Sequence, residues 1–292
     1  MPDTMLLVGG DSEVAGAAAS HLRACGYDVI VTTRRRGAIT ADRPFLDLAQ
    51  PVGEWQIPDG IRSACLCAAI ARLNDCARDP EGSARINVTG TVALTDRLLA
   101  RDIPVLFLST DKVFDGTRPQ VPAATRPCPV SEYGRQKAAA EAALGERMKQ
   151  GAPITILRLA KIVSPGMALL CEWRDSLRGG KSIRAFDDMV MAPTPIALVA
   201  AAIERLLAEP ASGIFQLTGP RDIVYSDVAD YLARGAGADP ALVERVSAYS
   251  AGLPPGSTAR HTTLDSSALR ERFGIVVPDA REVIDSIVET CC

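Results

Sequence analysis

Residues 6–16 read LLVGGDSEVAG and join a short apolar run, residues 5–8, to a helical pattern over residues 14–25. A glycine-rich turn between a buried strand and a helix is typical of dinucleotide-binding folds, because glycine allows backbone N–H groups to approach a pyrophosphate closely. The N-terminus of the helix adds a partial positive charge at the same place. The stretch therefore predicts a strand–turn–helix unit that holds a dinucleotide.

The glycines of this turn leave two registers open. Gly10 and Gly16 fit the outer positions of G-x-x-G-x-x-G, with Glu13 at the middle position, whereas the other register begins at Gly9. A carboxylate beside a pyrophosphate is unfavourable unless its side chain turns away. In either register, the predicted cofactor-binding residues of the turn are Gly9, Gly10, Ser12, Glu13, Val14 and Gly16.

The same alternation continues through the first half of the chain. Strand-like runs cover residues 28–32, 64–68, 105–109 and 154–159, and helical patterns cover residues 81–100 and 132–148. Strands that alternate with helices form a parallel sheet with helices on both faces, and strands buried on both faces read as continuous apolar runs. The predicted fold class is therefore α/β, a Rossmann-type doubly wound parallel sheet.

The pattern changes after about residue 159. Helical patterns then dominate, at residues 196–208, 226–234, 241–247, 267–273 and 280–290, with one strand-like run at residues 213–218. We predict an NAD(P)-binding Rossmann core over residues 1–160 and a smaller, mostly helical substrate-binding portion over residues 161–292. Some segments of the second part, such as residues 192–218, are expected to return to the core.

The composition of the 292-residue chain excludes several classes of function. Hydrophobic residues make up 47% and charged residues 23%, which supports a large core and argues against disorder. A net charge of −3 and an aromatic content of 4% give no footprint for nucleic acid. No apolar run approaches the roughly 20 residues that span a bilayer. The N-terminus lacks the basic region of a signal peptide.

Cysteine and histidine usage favours a cytoplasmic protein without a metal centre. The eight cysteines lie mostly inside apolar segments, and we interpret them as reduced thiols. With only His21 and His261 in the chain, a histidine-based metal site is not expected. The expected partner is a small molecule rather than nucleic acid or a membrane, and a homodimer is compatible with the sequence.

Three arginines, residues 34–36, follow the second predicted strand. In dinucleotide-binding folds an acidic residue near this place binds the ribose 2′-hydroxyl of NAD, whereas arginine accommodates the 2′-phosphate of NADP. Arg34 and Arg35 are therefore predicted to bind NADP, with NAD as the alternative cofactor. A solvated basic turn is the competing interpretation.

A second constellation predicts chemistry on a carbonyl group. Tyr133 and Lys137 are four residues apart at the start of a helical pattern, which places them on one helix face. A neighbouring ammonium favours the phenolate, so Lys137 is expected to lower the pKa of Tyr133. Thr110 follows the strand-like run 105–109, at the sheet edge where ligands bind. In this arrangement Tyr133 exchanges a proton with a carbonyl oxygen that Thr110 also binds.

On these residues the chain resembles the extended short-chain dehydrogenase/reductase superfamily and, within it, the dTDP-4-dehydrorhamnose reductase family. The specific motifs are LSTDKVFDG (residues 108–116) and YGRQKAAAE (residues 133–141). The others are LLVGGDSEVAG (6–16), INVTGT (86–91), ILRLAKI (156–162), APT (192–194), GIFQLTG (213–219) and RHTTLDSSALRERFGI (260–275). The resemblance implies NADPH-dependent reduction of a keto nucleotide-sugar, a step of carbohydrate biosynthesis.

The resemblance also implies roles for single residues. Thr110, Tyr133 and Lys137 resemble the catalytic residues of the family, and Lys137 would also bind the nicotinamide ribose. The other implied cofactor-binding residues are Asp47 and Leu48 near the adenine, Ala68 and Ala69 beneath the cofactor, and Asn87 in support of the cofactor-side helix. The implied substrate-binding residues are Asp111, Lys112, Arg158 and Arg260.

Two positions depart from the family pattern and leave alternatives open. Glu13 replaces a glycine, and Lys112 stands where rhamnose-type reductases carry tyrosine, so the identity of the sugar does not follow from the resemblance. The string Ser-Thr-Asp-Lys at residues 109–112 also resembles nucleotide-sugar 4,6-dehydratases, although the following Val-Phe-Asp-Gly favours a reductase. The alternatives are a dehydratase or epimerase that retains NAD, and a non-catalytic regulatory or binding subunit on the same fold.

Overall fold

The computed structural model describes residues 2–253 and 258–289. The strands, in chain order, are β1 (Thr4–Val8), β2 (Asp28–Val31), β3 (Ile61–Leu66), β4 (Val105–Thr110), β5 (Ile154–Leu159), β6 (Ile162–Val163), β7 (Ile183–Phe186), β8 (Val190–Met191), β9 (Thr194–Pro195), β10 (Gly213–Leu217), β11 (Ile223–Val224) and β12 (Val243–Val246). The helices are α1 (Glu13–Ala24), α2 (Leu73–Arg78), α3 (Pro80–Ala84), α4 (Thr91–Leu99), α5 (Glu132–Lys149), α6 (Ala168–Arg178), α7 (Ile196–Ala208), α8 (Tyr225–Gly235), α9 (Ser267–Phe273) and α10 (Ala280–Glu289). A π-helical segment, Arg85–Gly90, joins α3 to α4.

Six of these strands form one parallel sheet in the order β10-β5-β4-β3-β1-β2. Every residue of β4 and β5 is buried, as expected for strands that are covered on both faces. In the register of the sheet, Leu7 of β1 lies between Val31 of β2 and Cys65 of β3. The predicted α/β fold with a Rossmann-type parallel sheet is confirmed.

Helices cover both faces of this sheet. Helices α1 and α7 pack against each other on one face, where Leu22 and Ile203 belong to one apolar cluster. Helices α4 and α5 lie on the other face, where Leu94 and Leu144 belong to a second cluster. The sheet is thus the middle of three layers, and its apolar strands are removed from water on both sides.

One part of the second half of the chain belongs to this core, and another part forms an apolar cluster of its own. Strand β10 pairs with β5 at the edge of the main sheet. Helices α6, α8 and α10 enclose a third apolar cluster that includes Trp173, Leu232 and Ile284. Three two-stranded pairings, β7 with β12, β8 with β11 and β6 with β9, accompany these helices. The division of the chain at residue 160 stays a prediction. Strand β10, from the second part, belongs to the sheet of the first part.

Some local expectations differ from the structure. The sequence predicts a helix over residues 241–247, but the chain forms a 3-10 turn, Pro240–Leu242, and then β12. A run of four residues is too short to distinguish helical from strand periodicity, and the parallel pairing of β12 with β7 decides the outcome. Helices α2 and α6 are not among the predicted elements.

The order of the strands creates a crevice at one edge of the sheet. The chain leads from β1 to β2 on one side, whereas β3 lies on the other side of β1. Connections that leave in opposite directions open a crevice at the carboxyl ends of the strands, and open α/β sheets bind ligands there. The glycine-rich turn after β1 and residues 67–70 after β3 form the walls of this crevice.

The cysteines depart in part from the sequence expectation. Free thiols are present at Cys25, Cys65, Cys67, Cys76 and Cys128, whereas Cys171 is disulfide-bonded. The expectation that all the thiols are reduced is therefore wrong at Cys171, because spacing along the chain does not show which cysteines meet. The cytoplasmic location stays a prediction. In residues 2–253 and 258–289, no helix combines the length and apolarity needed to cross a membrane.

Candidate active site

The glycine-rich turn packs tightly against the neighbouring strand ends. Gly9 has a φ of 95°, and a Cβ at this position would lie 2.6 Å from the Cα of Ala68. The next residue, Gly10, leaves no room for a side chain beside Val31, whereas nothing lies within 4 Å of a Cβ at Gly16. The packing therefore requires glycine at Gly9 and Gly10 but not at Gly16.

Helix α1 begins directly after this turn. Ser12 caps the helix, since its hydroxyl oxygen accepts a hydrogen bond from the backbone N–H of Ala15 at 3.2 Å. Glu13 is exposed in the first turn of the helix, where a carboxylate is favourable to the helix dipole. Glu13 does not line the crevice. Its carboxylate therefore lies away from the place predicted for the pyrophosphate.

The crevice contains a cavity of about 180 Å³ between the turn and residues 67–70. The predicted cofactor-binding residues that line it are Gly9, Ser12, Arg34, Leu48, Ala68 and Ala69. The lining residues absent from the prediction are Val8, Asp11, Thr32, Thr33, Leu46, Cys67, Ile70 and Ile86. Most of these additions follow a strand end, which is the one sequence signal that marks them.

Other predicted cofactor-binding residues lie outside the wall of this cavity. Val14 packs against the apolar cluster under α1, and Asp47 accepts a hydrogen bond from the backbone N–H of Ala49 at 3.0 Å. Asn87 is buried and binds both backbone groups of Ile70, at 2.8 and 2.9 Å. The side chain of Asn87 therefore holds the segment after β3 in place, which is a supporting role.

A carboxylate and several arginines meet where β2 ends. The carboxylate of Asp11 accepts hydrogen bonds from the Thr33 hydroxyl, the Arg34 backbone N–H and the Arg43 guanidinium, each at 2.9 Å. The guanidinium of Arg35 lies 3.6 Å from the same carboxylate. Burial opposes ionisation, but the bonds from Arg34, Thr33 and Arg43 hold the pKa of Asp11 below its usual range.

The catalytic candidates meet at the carboxyl end of β4. Helix α5 begins there, capped by the Ser131 hydroxyl, which accepts a hydrogen bond from the backbone N–H of Gly134 at 3.1 Å. A Cβ on Gly134 would lie 2.1 Å from the carbonyl oxygen of Lys112, so only glycine permits this close approach. The approach brings Tyr133 to the same cavity wall as Thr110. The catalytic roles of the two hydroxyls stay a prediction.

The electrostatics of Tyr133 differ from the sequence expectation. Burial, followed by the charge of Asp111, raises the pKa of Tyr133 well above its usual value, and the nearby Thr110 side chain opposes this only in part. The expected lowering of the pKa is therefore wrong for this arrangement, because burial and the negative charge of Asp111 outweigh it. The phenol therefore remains protonated at neutral pH.

Lys137 lies one helical turn further along α5 and points into the protein. Its Nζ donates a hydrogen bond to the carbonyl oxygen of Leu108 at 2.5 Å and lies 3.8 Å from the centre of the Phe107 ring. Burial lowers the pKa of Lys137 to about 7, while Glu141 opposes the shift. The ammonium is thus directed at the β4 backbone instead of the Tyr133 phenol.

A second cavity, of about 260 Å³, adjoins the two hydroxyls. Of the predicted residues, Thr110, Tyr133, Asp111 and Lys112 line it. Its other lining residues are Ala71, Leu73, Ala160, Lys161, Met189, Val190, Met191, Tyr225, Ala259 and Thr262. Most of these come from the second half of the chain, so this cavity exists only where the two halves meet.

Charged groups in this second cavity are arranged in a chain. The carboxylate of Asp111 accepts a hydrogen bond from the Thr110 hydroxyl at 3.0 Å and pairs with the Lys112 ammonium at 3.1 Å. Desolvation lowers the pKa of Lys161, and the charge of Glu13 acts against that shift. The cavity thus presents two ammonium groups and one carboxylate beside the Thr110 and Tyr133 hydroxyls, and this net positive lining suits an anionic ligand.

Arg158 is not at this cavity, contrary to the sequence expectation. Its side chain is 1% exposed and forms a buried ion pair with Glu141 at 2.7 Å, with further hydrogen bonds to Ala123 and Gln216. Because buried charges must be paired, an arginine on a strand covered on both faces is used inside the core. Arg260 is exposed and does not line the cavity, although Ala259 beside it does.

Comparisons with known proteins agree with this arrangement. The family model described as RmlD substrate binding domain matches residues 3–292. A dTDP-4-keto-6-deoxy-D-glucose reductase from Streptomyces niveus is 29% identical, over 93% of this chain and 91% of that protein. A dTDP-4-dehydrorhamnose reductase from Burkholderia thailandensis is 26% identical, over 96% of each chain.

Solved structures extend the likeness in fold. A dTDP-4-dehydrorhamnose reductase from Clostridium acetobutylicum superposes with a TM-score of 0.81 at 19% identity, covering 98% of both chains. The enzyme of the same name from Bacillus anthracis, solved in complex with NADP, gives a TM-score of 0.80 at 18% identity, covering 98% of this chain and 99% of that one. Since the family model spans nearly the whole sequence, the chain belongs to the RmlD substrate-binding domain family.

Proposed function

We propose that this protein is an NADPH-dependent reductase of a keto nucleotide-sugar. One observation carries the proposal: the side chains of Thr110 and Tyr133 lie together at the carboxyl end of β4, on the wall of one cavity. Two hydroxyls so placed can both bind the oxygen of one carbonyl group. The related reductases from Streptomyces and Burkholderia, which match nearly the full chain, support this class of substrate.

The crevice at the strand ends fits a dinucleotide. Its lining includes Gly9 of the glycine-rich turn, the small residues Ala68 and Ala69, and Arg34. When bound, NADPH supplies a hydride to the carbonyl carbon of the substrate. The reductase from Bacillus anthracis, which binds NADP, supports this choice of cofactor.

Tyr133 is the proton donor in this proposal. Its raised pKa keeps the phenol protonated at neutral pH, which suits the donation of a proton to a carbonyl oxygen that gains negative charge. The Thr110 hydroxyl donates a hydrogen bond to the same oxygen in place of the Asp111 carboxylate that it now contacts. Asp111 and Lys112 line the same cavity and are assigned to substrate binding.

The test is NADPH oxidation with a dTDP-4-keto-6-deoxy sugar as substrate, measured on the wild type and on Tyr133→Phe. We expect kcat to fall by about 100- to 10,000-fold in the variant, the usual contribution of a general acid. NADPH affinity should remain within about twofold, because the phenol lines the other cavity. Tyr231→Phe, which removes a phenol that contacts Asp285 away from both cavities, serves as the control and should keep full activity.

Other outcomes would select another function on the same fold. NAD that stays bound through purification, together with loss of turnover in Asp111→Asn and Lys112→Met, would indicate a dehydratase or epimerase. A wild-type protein that binds neither NADPH nor NADH would indicate a non-catalytic binding subunit. A simple reductase loses far less activity in the Asp111 and Lys112 variants than in Tyr133→Phe.

A further inference from the structure

The position of the Asp11 carboxylate is unusual for a residue of the glycine-rich turn. The side chain crosses from the turn after β1 to the end of β2, where it binds the Thr33 hydroxyl and the Arg34 backbone N–H. It also lines the cofactor crevice and is 21% exposed. The carboxylate therefore stands at the end of β2, although residues 32–36, directly after β2, include no acidic residue.

That place has a defined chemical role in dinucleotide-binding folds. A carboxylate at the end of the second strand accepts a hydrogen bond from the adenosine ribose 2′-hydroxyl of NAD, whereas arginine there accommodates the 2′-phosphate of NADP. In this protein both types of group are present together. Two of the arginines, Arg35 and Arg43, lie 3.6 and 2.9 Å from the Asp11 carboxylate.

Two further arginines, Arg34 and Arg36, belong to this region, and they differ in their contacts. Arg36 stacks over the Phe45 ring at 5.0 Å. Arg34 is exposed, lines the crevice, and contacts Asp11 through its backbone N–H. Arg34 can therefore approach a 2′-phosphate freely, while the phosphate must compete with Asp11 for Arg35 and Arg43.

We propose that Asp11 determines how strongly this protein discriminates between NADPH and NADH. The carboxylate accepts a hydrogen bond from the ribose 2′-hydroxyl of NADH, and it opposes the 2′-phosphate of NADPH through its own charge and its hold on Arg35 and Arg43. The protein thus accepts both cofactors with less preference for NADPH than its arginines alone would give. This inference rests on the proposed function, because it concerns the same dinucleotide.

The carboxylate has the capacity for this bond. An ionised carboxylate offers about four acceptor positions, and among the residues described here its donors are the Thr33 hydroxyl, the Arg34 backbone N–H and the Arg43 guanidinium. These three donors leave about one acceptor position, and a ligand hydroxyl can reach the carboxylate because Asp11 lines the crevice. Because these bonds keep the pKa of Asp11 low, the group is charged throughout the physiological range.

The experiment measures the Kd of NADPH and of NADH by nicotinamide fluorescence, for the wild type, Asp11→Asn and Arg35→Gln. Asparagine has the size of aspartate but lacks its charge. We expect Asp11→Asn to raise the ratio of the NADH Kd to the NADPH Kd by about tenfold or more, the usual effect of losing a bond to a charged group. Arg35, whose side chain is 72% exposed, can be replaced without disturbing the core, and Arg35→Gln should weaken NADPH alone.

Asp42→Asn is the matched control. Asp42 belongs to the same region and pairs with Arg23 at 3.7 Å, but it does not line the crevice. The control should leave the ratio unchanged, and an equal shift in Asp42→Asn would overturn the proposal by showing a general charge effect. Equal weakening of both cofactors in Asp11→Asn would also overturn it, since Asp11 would then only hold the loop.

The two proposals fail in distinguishable ways. Wild-type protein that binds neither cofactor contradicts the proposed function and the role of Asp11 together. Wild-type protein that binds NADPH and reduces a keto nucleotide-sugar, but whose cofactor ratio does not move in Asp11→Asn, contradicts the role of Asp11 alone. If Asp11→Asn does not fold, the same ratio measured on Asp11→Ser decides.

Discussion

At the scale of single residues, Lys137 shows how a functional group can oppose stability. The ammonium is buried on the Leu108 carbonyl and the Phe107 ring, and its pKa falls from 10.5 to about 7. A lysine with a lowered pKa binds its proton less tightly in the folded protein than in the unfolded chain. Burying the charged Lys137 therefore lowers the free energy of unfolding, and this loss of stability is present in full below pH 7.

The pH dependence of stability tests this directly with Lys137→Met. Between pH 7 and pH 10.5 the unfolded chain holds one more proton at this site than the folded protein, so the wild type gains stability as the pH rises. Methionine does not titrate. The Tm of the variant minus the Tm of the wild type should therefore be more positive at pH 6 than at pH 9.5, by about 2 °C or more.

Lys149→Met is the control for this measurement, since Lys149 ends the same helix with a side chain that is 74% exposed. Its Tm difference should be the same at both pH values. A Tm difference for Lys137→Met that does not change with pH would mean that the ammonium is not desolvated in the folded protein.

At the scale of secondary-structure elements, the site depends on how closely α5 approaches the turn after β4. Gly134 allows contact with the Lys112 carbonyl. Further along α5, Glu141 receives the Ser109 hydroxyl at 2.5 Å and the Arg158 guanidinium at 2.7 Å. Helix α5 is therefore held at two places, by the contact of Gly134 with the turn after β4 and by the bonds of Glu141 to β4 and β5. These contacts fix Tyr133 relative to Thr110.

Gly134→Ala tests the close approach. The added methyl group must push α5 away from the 111–113 turn, so we expect a loss of about 1–3 kcal/mol in stability from overpacking. We also expect a fall in kcat, because the two hydroxyls separate. Gly145→Ala in the same helix is the comparison: nothing lies within 4 Å of a Cβ there. It should gain up to about 1 kcal/mol from helix propensity. Similar effects of the two substitutions on stability would refute the packing argument.

At the scale of the whole molecule, the second half of the chain completes the core of the first. Strand β10 pairs with five of the six residues of β5, from Gly213 opposite Thr155 to Leu217 opposite Leu159. Helix α7 supplies Val199, Ile203 and Leu206 to the apolar cluster that also contains Leu22 of α1. Without these elements, β5 would become an open edge and one face of the sheet would meet water.

A fragment that ends at residue 160 is therefore expected not to fold as a unit, even though it contains the glycine turn and all three catalytic candidates. Its thermal unfolding, followed by circular dichroism, should lack the cooperative transition of the full chain. It should also fail to bind NADPH. A cooperative transition in the fragment would show that residues 1–160 form an independent domain, which the pairing of β10 argues against.

Much of the fold is predictable because its signals are local. The strands of the main sheet and α1, α5 and α7 were all accessible from apolar runs, glycine turns and helical periodicity, since each signal involves residues a few positions apart. Shorter elements were not: β12 contradicts the predicted helix at residues 241–247, because its state depends on pairing with β7. Most of the lining of the second cavity was missed for the same reason, because it comes from distant segments; only Thr110, Asp111, Lys112 and Tyr133 were predicted.

The sequence by itself determined the strand–turn–helix unit, the shared helix face of Tyr133 and Lys137, and the place of Thr110 at a strand end, because these follow from spacing. Only the tertiary structure decided what the charged groups do. In the folded protein, Lys137 donates a hydrogen bond to the Leu108 carbonyl, and Arg158 forms a buried ion pair with Glu141. Asp11 accepts a hydrogen bond from the backbone N–H of Arg34. The strength and sign of an electrostatic interaction depend on distance and burial, which arise when segments far apart in the chain pack together.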